Sequence, residues 1–168
     1  MDWGRSKMDR IVKNEEQLEQ LKNYLRSIYK YFREMYKYMA GVDPMKDLPC
    51  IGTNAFSDLC SNGLPTLIDG RMLALKDLDL ERIQTNANDI QAKFNPKEKL
   101  IRHNFLEVFV RICMTKYLKN GAGEGNKVPV ECMKMMFDRE LAPYFKKFDS
   151  HDWRKKFCWQ EDIDLVLK

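Results

Sequence analysis

The feature that most constrains this fold is a spacing that occurs twice in the chain. In each copy an aliphatic residue precedes a helix-opening phenylalanine by five positions, Ile51 before Phe56 and Leu100 before Phe105. In the second copy Phe109 continues the apolar row at helical spacing. The pattern predicts two short extended segments, each leading directly into a helix.

Composition and charge limit the class of protein. The chain has 168 residues, of which 44% are hydrophobic and 11% aromatic, as expected for one folded domain or two small lobes. Lysine and arginine number 29 against 25 acidic residues, a balance that suits an acidic partner but lies below that of a dedicated nucleic-acid binder. No window is apolar enough to span a membrane, and the polar residues 1–10 do not form a signal peptide. We therefore expect a cytoplasmic location, with the cilium or the cytoskeleton as the candidate site.

The residues that most often carry chemistry do not form recognisable sets. The cysteines are far apart and lack a C-x-x-C pair: Cys50, Cys60, Cys113, Cys132 and Cys158. We expect reduced thiols rather than a disulfide framework or a metal site. Neither His103 nor His151 has a second histidine or a cysteine at ligand spacing. We predict no catalytic, cofactor-binding or metal-binding residues and no enzymatic activity.

A long amphipathic pattern follows the start of the lead-in, residues 1–14. Of these, residues 1–8 are expected to be loose, with Trp3 as their only anchor. The helix signal runs from about Asp9 to Ala40, with Asn14 as a polar interruption. Its apolar residues alternate steps of three and four: Ile11, Leu18, Leu21, Leu25, Ile28, Phe32, Met35 and Met39. A coiled-coil arm would show such a row, but its aromatic residues are bulky for a two-stranded seam. We therefore favour a helix packed on its own domain.

Several shorter helices are predicted after Gly41 ends the long one. The first is expected up to Cys60, before a turn at 61–65, and a second from about Lys76 to Asn86. The apolar residues of the second are Leu75, Leu78, Leu80 and Ile83. A glycine-rich linker, residues 121–127, leads to a C-terminal helical segment, 128–168. In that segment Pro143 should kink or break the helix near Arg139.

The predicted order is helix, loop with a short strand, helix, repeated once. The first unit is 15–40, 41–52 and 53–62, and the second is 75–87, 88–102 and 103–119. This order over 15–120 resembles an EF-hand pair of the calmodulin superfamily. The phrases KDLDLERIQTNAND and FKKFDSHDWRKKFCWQEDID are also similar to degenerate EF-hand-like repeats of ciliary and flagellar proteins in protists. The resemblance implies a mainly α fold, an EF-hand-like pair with a short two-stranded pairing between its loops, a long N-terminal helix before it and extra helices after it.

The same resemblance implies where calcium ligands would lie. A working loop supplies oxygen atoms at positions 1, 3, 5, 7 and 9, a glycine at 6 and a bidentate glutamate at 12. Registered on Ile51, positions 1, 3, 5, 6 and 12 hold Pro44, Lys46, Leu48, Pro49 and Ala55. Registered on Leu100, they hold Lys93, Asn95, Lys97, Glu98 and Asn104. A third register, on Leu73, places Thr66, Ile68, Gly70, Arg71 and Asp77 there. Lysine and apolar side chains cannot coordinate a hard cation, so we expect a calcium-independent pair.

Two basic clusters are candidate contact surfaces. The first lies within 93–119 and contains Lys93, Lys97, Lys99, Arg102, Arg111, Lys116 and Lys119. The second interleaves cations with aromatic residues, and we predict it as the partner-binding surface: Lys146, Lys147, Trp153, Arg154, Lys155, Lys156, Phe157 and Trp159. A solvated face above buried aromatic side chains would give the same pattern.

These observations predict a non-enzymatic, calcium-independent scaffold or adaptor module of a ciliary or cytoskeletal assembly. Its expected partners are other proteins of that assembly, with tubulin or axonemal proteins as candidates and no membrane. A residual EF-hand calcium sensor and a basic helical nucleic-acid-binding domain are the alternatives. No cofactor is expected.

Overall fold

The structure is a computed structural model that describes residues 2–42, 49–87, 99–121, 128–145 and 154–156. Over these ranges the chain is mainly helical, which confirms the fold class at this level. The helices are α1 (Asp2–Arg5), α2 (Met8–Ile11), α3 (Glu15–Val42), α4 (Thr53–Asp58), α5 (Leu75–Asn86), α6 (Arg102–Cys113), α7 (Pro129–Met136) and α8 (Ala142–Phe145). None of these helices is long and apolar enough to cross a membrane.

The helix predicted from Asp9 to Ala40 is in fact two helices, α2 and α3. Asn14 lies between them, and its Oδ1 accepts the backbone N–H of Gln17 at 3.0 Å. A side-chain oxygen in this position satisfies a donor that the first helical turn leaves unpaired. Asn14 is therefore the cap at which α3 begins, and the prediction of one continuous helix was wrong.

The lead-in is also better ordered than predicted. Met8 and Val12 are buried in the core, and the carboxylate of Asp2 forms an ion pair with Arg102 at the start of α6. The hydroxyl of Tyr29 donates a hydrogen bond to the same carboxylate. The lead-in is thus attached to both α3 and α6, and Trp3 is not its only anchor.

The apolar row of α3 faces the rest of the chain. Its buried members include Leu21, Leu25, Ile28, Phe32, Met35 and Met39. The ring of Phe32 lies 5.7 Å from that of Phe109 on α6, and the ring of Tyr36 lies 5.7 Å from that of Phe105. Because α6 and its neighbours cover these side chains, the row is used within one domain rather than in a coiled-coil arm.

The two repeated spacings meet in the middle of the molecule. Ile51 and Leu100 form an isolated antiparallel bridge, in which the N–H of each donates to the carbonyl of the other at 2.9 and 2.8 Å. The phenylalanines that follow pack against each other, with the ring of Phe56 6.5 Å from that of Phe105 and 6.0 Å from that of Phe109. In the described ranges the extended structure consists of this single bridge, not of strands.

Three helices end in a wider, π-helical turn. These turns are Leu59–Gly63 after α4, Met114–Lys119 after α6 and Phe137–Leu141 after α7. The first one carries the helix through most of the predicted turn at 61–65. The third precedes Pro143, which has no N–H to donate to the usual partner, Arg139. The chain thus widens ahead of the proline and continues into α8, instead of breaking near Arg139.

Helix α5 has an unexpected orientation. Of its leucine and isoleucine residues only Leu78 is buried, whereas Leu75, Leu80 and Ile83 are 50%, 54% and 52% exposed. The residues that α5 buries instead include Glu81 and Thr85, and the helix packs closely on α6. The contact between α5 and α6 is therefore largely polar.

Candidate interaction site

A groove between three helical elements of the chain is filled by a fourth. We call it the inner groove; α3, α6 and the π-helical turn Met114–Lys119 form its walls, and α7 lies in it. The side chains of α7 that enter the groove, Cys132, Met133 and Met136, are completely buried. Leu141, just after α7, is also completely buried. Part of the predicted C-terminal segment, 128–145, is thus an integral element of the core.

Helix α7 and the residue that follows it, Phe137, also contact aromatic side chains of α3. The ring of Tyr31 lies 5.5 Å from that of Phe137, and Lys134 Nζ lies 5.8 Å from the centroid of the Tyr24 ring. Burial, together with the negative charge of Asp138, raises the pKa of Tyr24 to about 12. Tyr24 therefore remains a neutral ring at physiological pH and serves as a packing surface for the helix.

A buried lysine joins the inner groove to the connection between the π-helical turn Leu59–Gly63 and α5. Lys116 is only 2% exposed, and its Nζ donates to the carbonyls of Thr66 and Leu67 at 2.7 and 2.8 Å. The same Nζ forms an ion pair with Oε1 of Glu140, itself 4% exposed. The hydroxyl of Tyr117 donates a hydrogen bond to the same oxygen at 2.7 Å. Burial of the ring and, to a smaller extent, this hydrogen bond raise the pKa of Tyr117. Lys116 and Glu140 thus connect two π-helical turns inside the protein.

The connection itself is a tight turn built on Asp69. Its Oδ1 accepts the N–H groups of Arg71, Met72 and Leu73 at 3.0, 2.7 and 3.0 Å, and its Oδ2 lies 3.7 Å from Lys116 Nζ. Burial alone would raise the pKa of Asp69, but these hydrogen bonds and the lysine lower it below its usual range. Gly70 has φ of +71°, a conformation in which an L side chain is strained.

The prediction that residues 93–119 form an open basic surface was wrong for two of its members. Lys116 is buried as described, and Arg111 is 13% exposed and forms an ion pair with buried Glu107 at 3.0 Å. Arg102 pairs with Asp2 but is 51% exposed. Lys93 and Lys97 lie outside the described residues. The partners of Lys116 and Arg102 come from other elements, so spacing along the chain could not reveal them, whereas Glu107 lies four residues before Arg111 on the same helix.

The polar contact between α5 and α6 contains two buried carboxylates, and both are satisfied. Glu81 accepts a hydrogen bond from the hydroxyl of Thr115, and Glu107 accepts the backbone N–H of Lys7 at 2.9 Å in addition to its pair with Arg111. Buried carboxylates with complete partners act as structural connections rather than as acids or bases. The leucines of α5 masked the inward position of Glu81, and the apolar residues around Glu107 on α6 gave no sign that a carboxylate is buried among them.

The described ends of the two loops make protein contacts where an EF-hand would place a ligand. Asn104, at position 12 of the second register, is buried, and its Nδ2 donates to Oδ1 of Asn86 at 3.0 Å. Position 12 of the first register is Ala55, which has no donor atom, while the carbonyl of Pro49 accepts the hydroxyl of Tyr36. Asp77, at position 12 of the third register, accepts the N–H of Ala74 at 2.9 Å.

The remaining positions of the first two registers lie outside the described residues: Pro44, Lys46, Leu48, Lys93, Asn95, Lys97 and Glu98. Thr66, Ile68, Gly70 and Arg71, of the third register, belong to the connection held by Asp69 and Lys116. Within the described part of the chain, no three histidine, cysteine, aspartate or glutamate residues are arranged to hold a metal ion.

The described cysteines are buried inside the core and form no disulfide with one another: Cys50, Cys60, Cys113 and Cys132. Burial raises the pKa of Cys60 and Cys113, so both stay protonated and are poor nucleophiles. His103 is half-buried in the first turn of α6, and its carbonyl accepts the hydroxyl of Ser6 at 3.4 Å. Cys158 and His151 lie outside the described residues.

The structure describes only part of the predicted partner-binding surface. Arg154, Lys155 and Lys156 are exposed, as a contact surface requires. The other members lie outside the described residues: Lys146, Lys147, Trp153, Phe157 and Trp159. The surface therefore stays a prediction.

The ion pair between Asp2 and Arg102 leads to a pH-dependent prediction. Burial would raise the pKa of Asp2, but Arg102 and Tyr29 lower it below the ordinary value of 3.8. A carboxylate whose pKa is lower in the folded protein than in the unfolded protein stabilises the fold when the pH is above its ordinary pKa. This stabilisation is lost as the pH falls through the pKa of the folded protein. We expect α1 to remain docked at pH 5 and to detach below about pH 3.8, seen as a change in the indole N–H resonance of Trp3. In the Asp2→Asn variant the Trp3 indole resonance should already have its detached position at pH 5. If acid shifts this resonance in the variant as much as in the parent, the ion pair between Asp2 and Arg102 is not the cause of the change.

Comparisons of the chain with protein-family models, with curated proteins and with solved structures gave no match.

Proposed function

We propose that this chain is a non-enzymatic, calcium-independent scaffold built on an EF-hand-like pair, which joins other proteins through its outer surfaces. The observation that carries the proposal is that α7 occupies the inner groove. Helix pairs that capture a partner use such a groove for an amphipathic helix. Here Met133 and Met136 of α7 take that place, and the ion pair between Lys116 and Glu140 fixes the segment that follows.

The antiparallel bridge between Ile51 and Leu100 supports the pairing of two helix-loop-helix units, since two EF-hand loops meet through a short pairing of this kind. The phenylalanines beside the bridge supply the cohesion that ions supply in calcium-loaded loops. Burying each large apolar side chain contributes roughly 1.5–3 kcal/mol. Ala55 and Asn104 stand where a bidentate glutamate would be required, which supports independence from calcium.

The state of the reactive groups supports a non-enzymatic role. The described thiols are buried, Lys116 is fully engaged, and the buried glutamates accept hydrogen bonds from neighbouring elements. None of these groups is both activated and accessible, as a nucleophile or general base must be. The partners that we propose are proteins of a ciliary or cytoskeletal assembly, a setting that rests on the resemblance described above.

Calcium titration and sizing of the native protein test this proposal. We expect no saturable heat on titration with calcium to about 1 mM, a range that covers sensor affinities. In native extract we expect the tagged chain, 20.0 kDa, to elute in a much larger assembly with or without a chelator. A calcium-binding EF-hand protein in the same buffer is the positive control. Micromolar calcium binding would favour a sensor, and elution as a lone chain would contradict the scaffold role.

A further inference from the structure

A second concavity, separate from the inner groove, opens between α1, α3 and the start of α6. Its volume is about 610 Å³. Trp3, Leu25 and Leu106 provide an apolar floor, and Tyr29 joins them. We call it the outer pocket.

A row of cations borders the outer pocket. Lys22, Arg26 and Arg33 lie on α3 at i, i+4 and i+11, on one side of the helix, and all three are exposed. At 1.5 Å per residue the row extends about 16 Å along the helix. The fourth cation of the lining, Arg102, is neutralised by its pair with Asp2, so the row on α3 carries the net charge.

The row of cations is available to a partner protein, although two of its members form ion pairs within α3. Lys22 lies 2.8 Å from Glu19 and Arg33 lies 3.1 Å from Glu34. In both pairs the side chains are 40% exposed or more. Exposed ion pairs of this kind are weak and compete with water. A carboxylate from another molecule can therefore take the place of Glu19 or Glu34.

The geometry points to the chemistry of the occupant. A single phosphate or small carboxylate would reach one end of a row this long and would leave the apolar floor uncovered. An amphipathic helix matches both features, because residues at i, i+4 and i+11 share one side and its apolar face can cover the floor. The aromatic residues of the floor are of the type that anchors protein interfaces.

We propose that the outer pocket binds an acidic amphipathic helix of a partner protein. This inference rests on the scaffold function and specifies the chemistry of its partner. The apolar floor distinguishes such a helix from a nucleic-acid backbone, which has no hydrocarbon face to bury there. The concave shape distinguishes it from a lipid surface, which would contact the rim first.

The test uses a designed peptide of about 18 residues with leucines on one face and glutamates beside them at i, i+4 and i+11. We expect saturable binding to the full chain, measured by calorimetry, that weakens as salt is raised. The Arg26→Glu variant should weaken binding about tenfold or more. The matched control is Lys119→Glu, an equal charge change at an exposed residue of the π-helical turn Met114–Lys119, outside the pocket lining; it should bind like the parent.

Three results would overturn the inference. They are equal binding by the two variants, equal binding of a peptide with lysines in place of the glutamates, and Arg26-dependent binding of phosphatidylserine vesicles or RNA without peptide binding. The scaffold function is judged separately by sizing of the native assembly. If the peptide fails but the assembly persists, only the outer pocket proposal is lost.

Discussion

Replacing Lys116 with methionine is expected to lower the free energy of unfolding by about 3–5 kcal/mol, measured by urea denaturation at neutral pH. Methionine keeps the length of the side chain but removes its charge. The change leaves the carboxylate of Glu140 buried without its cation and the carbonyls of Thr66 and Leu67 without their donor. Removing one member of a buried ion pair is costly because the other member keeps its desolvation penalty.

Two controls separate the loss of the pair from the loss of a lysine. Lys119→Met alters an exposed residue of the same π-helical turn and should change stability by no more than about 0.5 kcal/mol. The double variant K116M/E140L removes both charges and should recover most of the loss, since a buried pair is often replaceable by apolar residues. If the double variant is as unstable as the sum of its single changes, Lys116 and Glu140 do not act as a pair.

The comparison of sequence and structure shows which features depend on local pattern. The predicted helical segments 15–40, 53–62, 75–87 and 103–119 agree within two residues with the helices, counted with their π-helical turns. The repeated spacing likewise led to Ile51 and Leu100, which form a single bridge in place of the predicted pairing of two strands. The agreement of the helices rests on periodic hydrocarbon side chains, which determine the buried face wherever the apolar stripe is narrow and continuous.

Positions that depend on distant partners were not predictable in this way. The spacing of Lys116 is that of a surface cation, and its partners are the carbonyls of Thr66 and Leu67 and the carboxylate of Glu140. The leucines and the isoleucine of α5 lie on several sides of the helix, so the buried face was decided by polar partners on α6 rather than by hydrophobicity. Tertiary contacts of this kind override local preference.

The outer pocket likewise combines residues that local pattern could predict with residues that only the tertiary fold brings together. The outer pocket draws on α3, whose periodicity was recognised, but also on Trp3 and Leu106, which the fold brings there from other elements. Reading Asn14 as an interruption rather than a cap also merged the lead-in with α3. The sequence therefore indicated the apolar row of α3 but neither its row of cations nor the concavity that they border.

Replacing Phe109 with alanine should be as damaging as the loss of Lys116, at about 3–5 kcal/mol. Phe109 is fully buried, and its ring lies 5.7 Å from Phe32, 6.0 Å from Phe56 and 5.0 Å from Phe105. It thus touches α3, α4 and its own helix at once, and alanine would leave a cavity where three elements meet. Chemical denaturation gives the overall loss, and amide hydrogen exchange shows where the fold opens.

The exchange pattern tests whether hydrocarbon contact stabilises the bridge between Ile51 and Leu100. If it does, Phe109→Ala should speed exchange at the bridging amides of Ile51 and Leu100 as well as in α6, because the bridge lies beside the ring cluster. Ile83→Ala, at a half-exposed position of α5, is the matched control and should change stability by no more than about 0.5 kcal/mol. Phe109→Leu keeps most of the volume and should show the same pattern with a smaller loss, in case the alanine variant does not fold. Faster exchange confined to α6, with the bridging amides as protected as in the parent, would show that the bridge does not depend on the ring cluster.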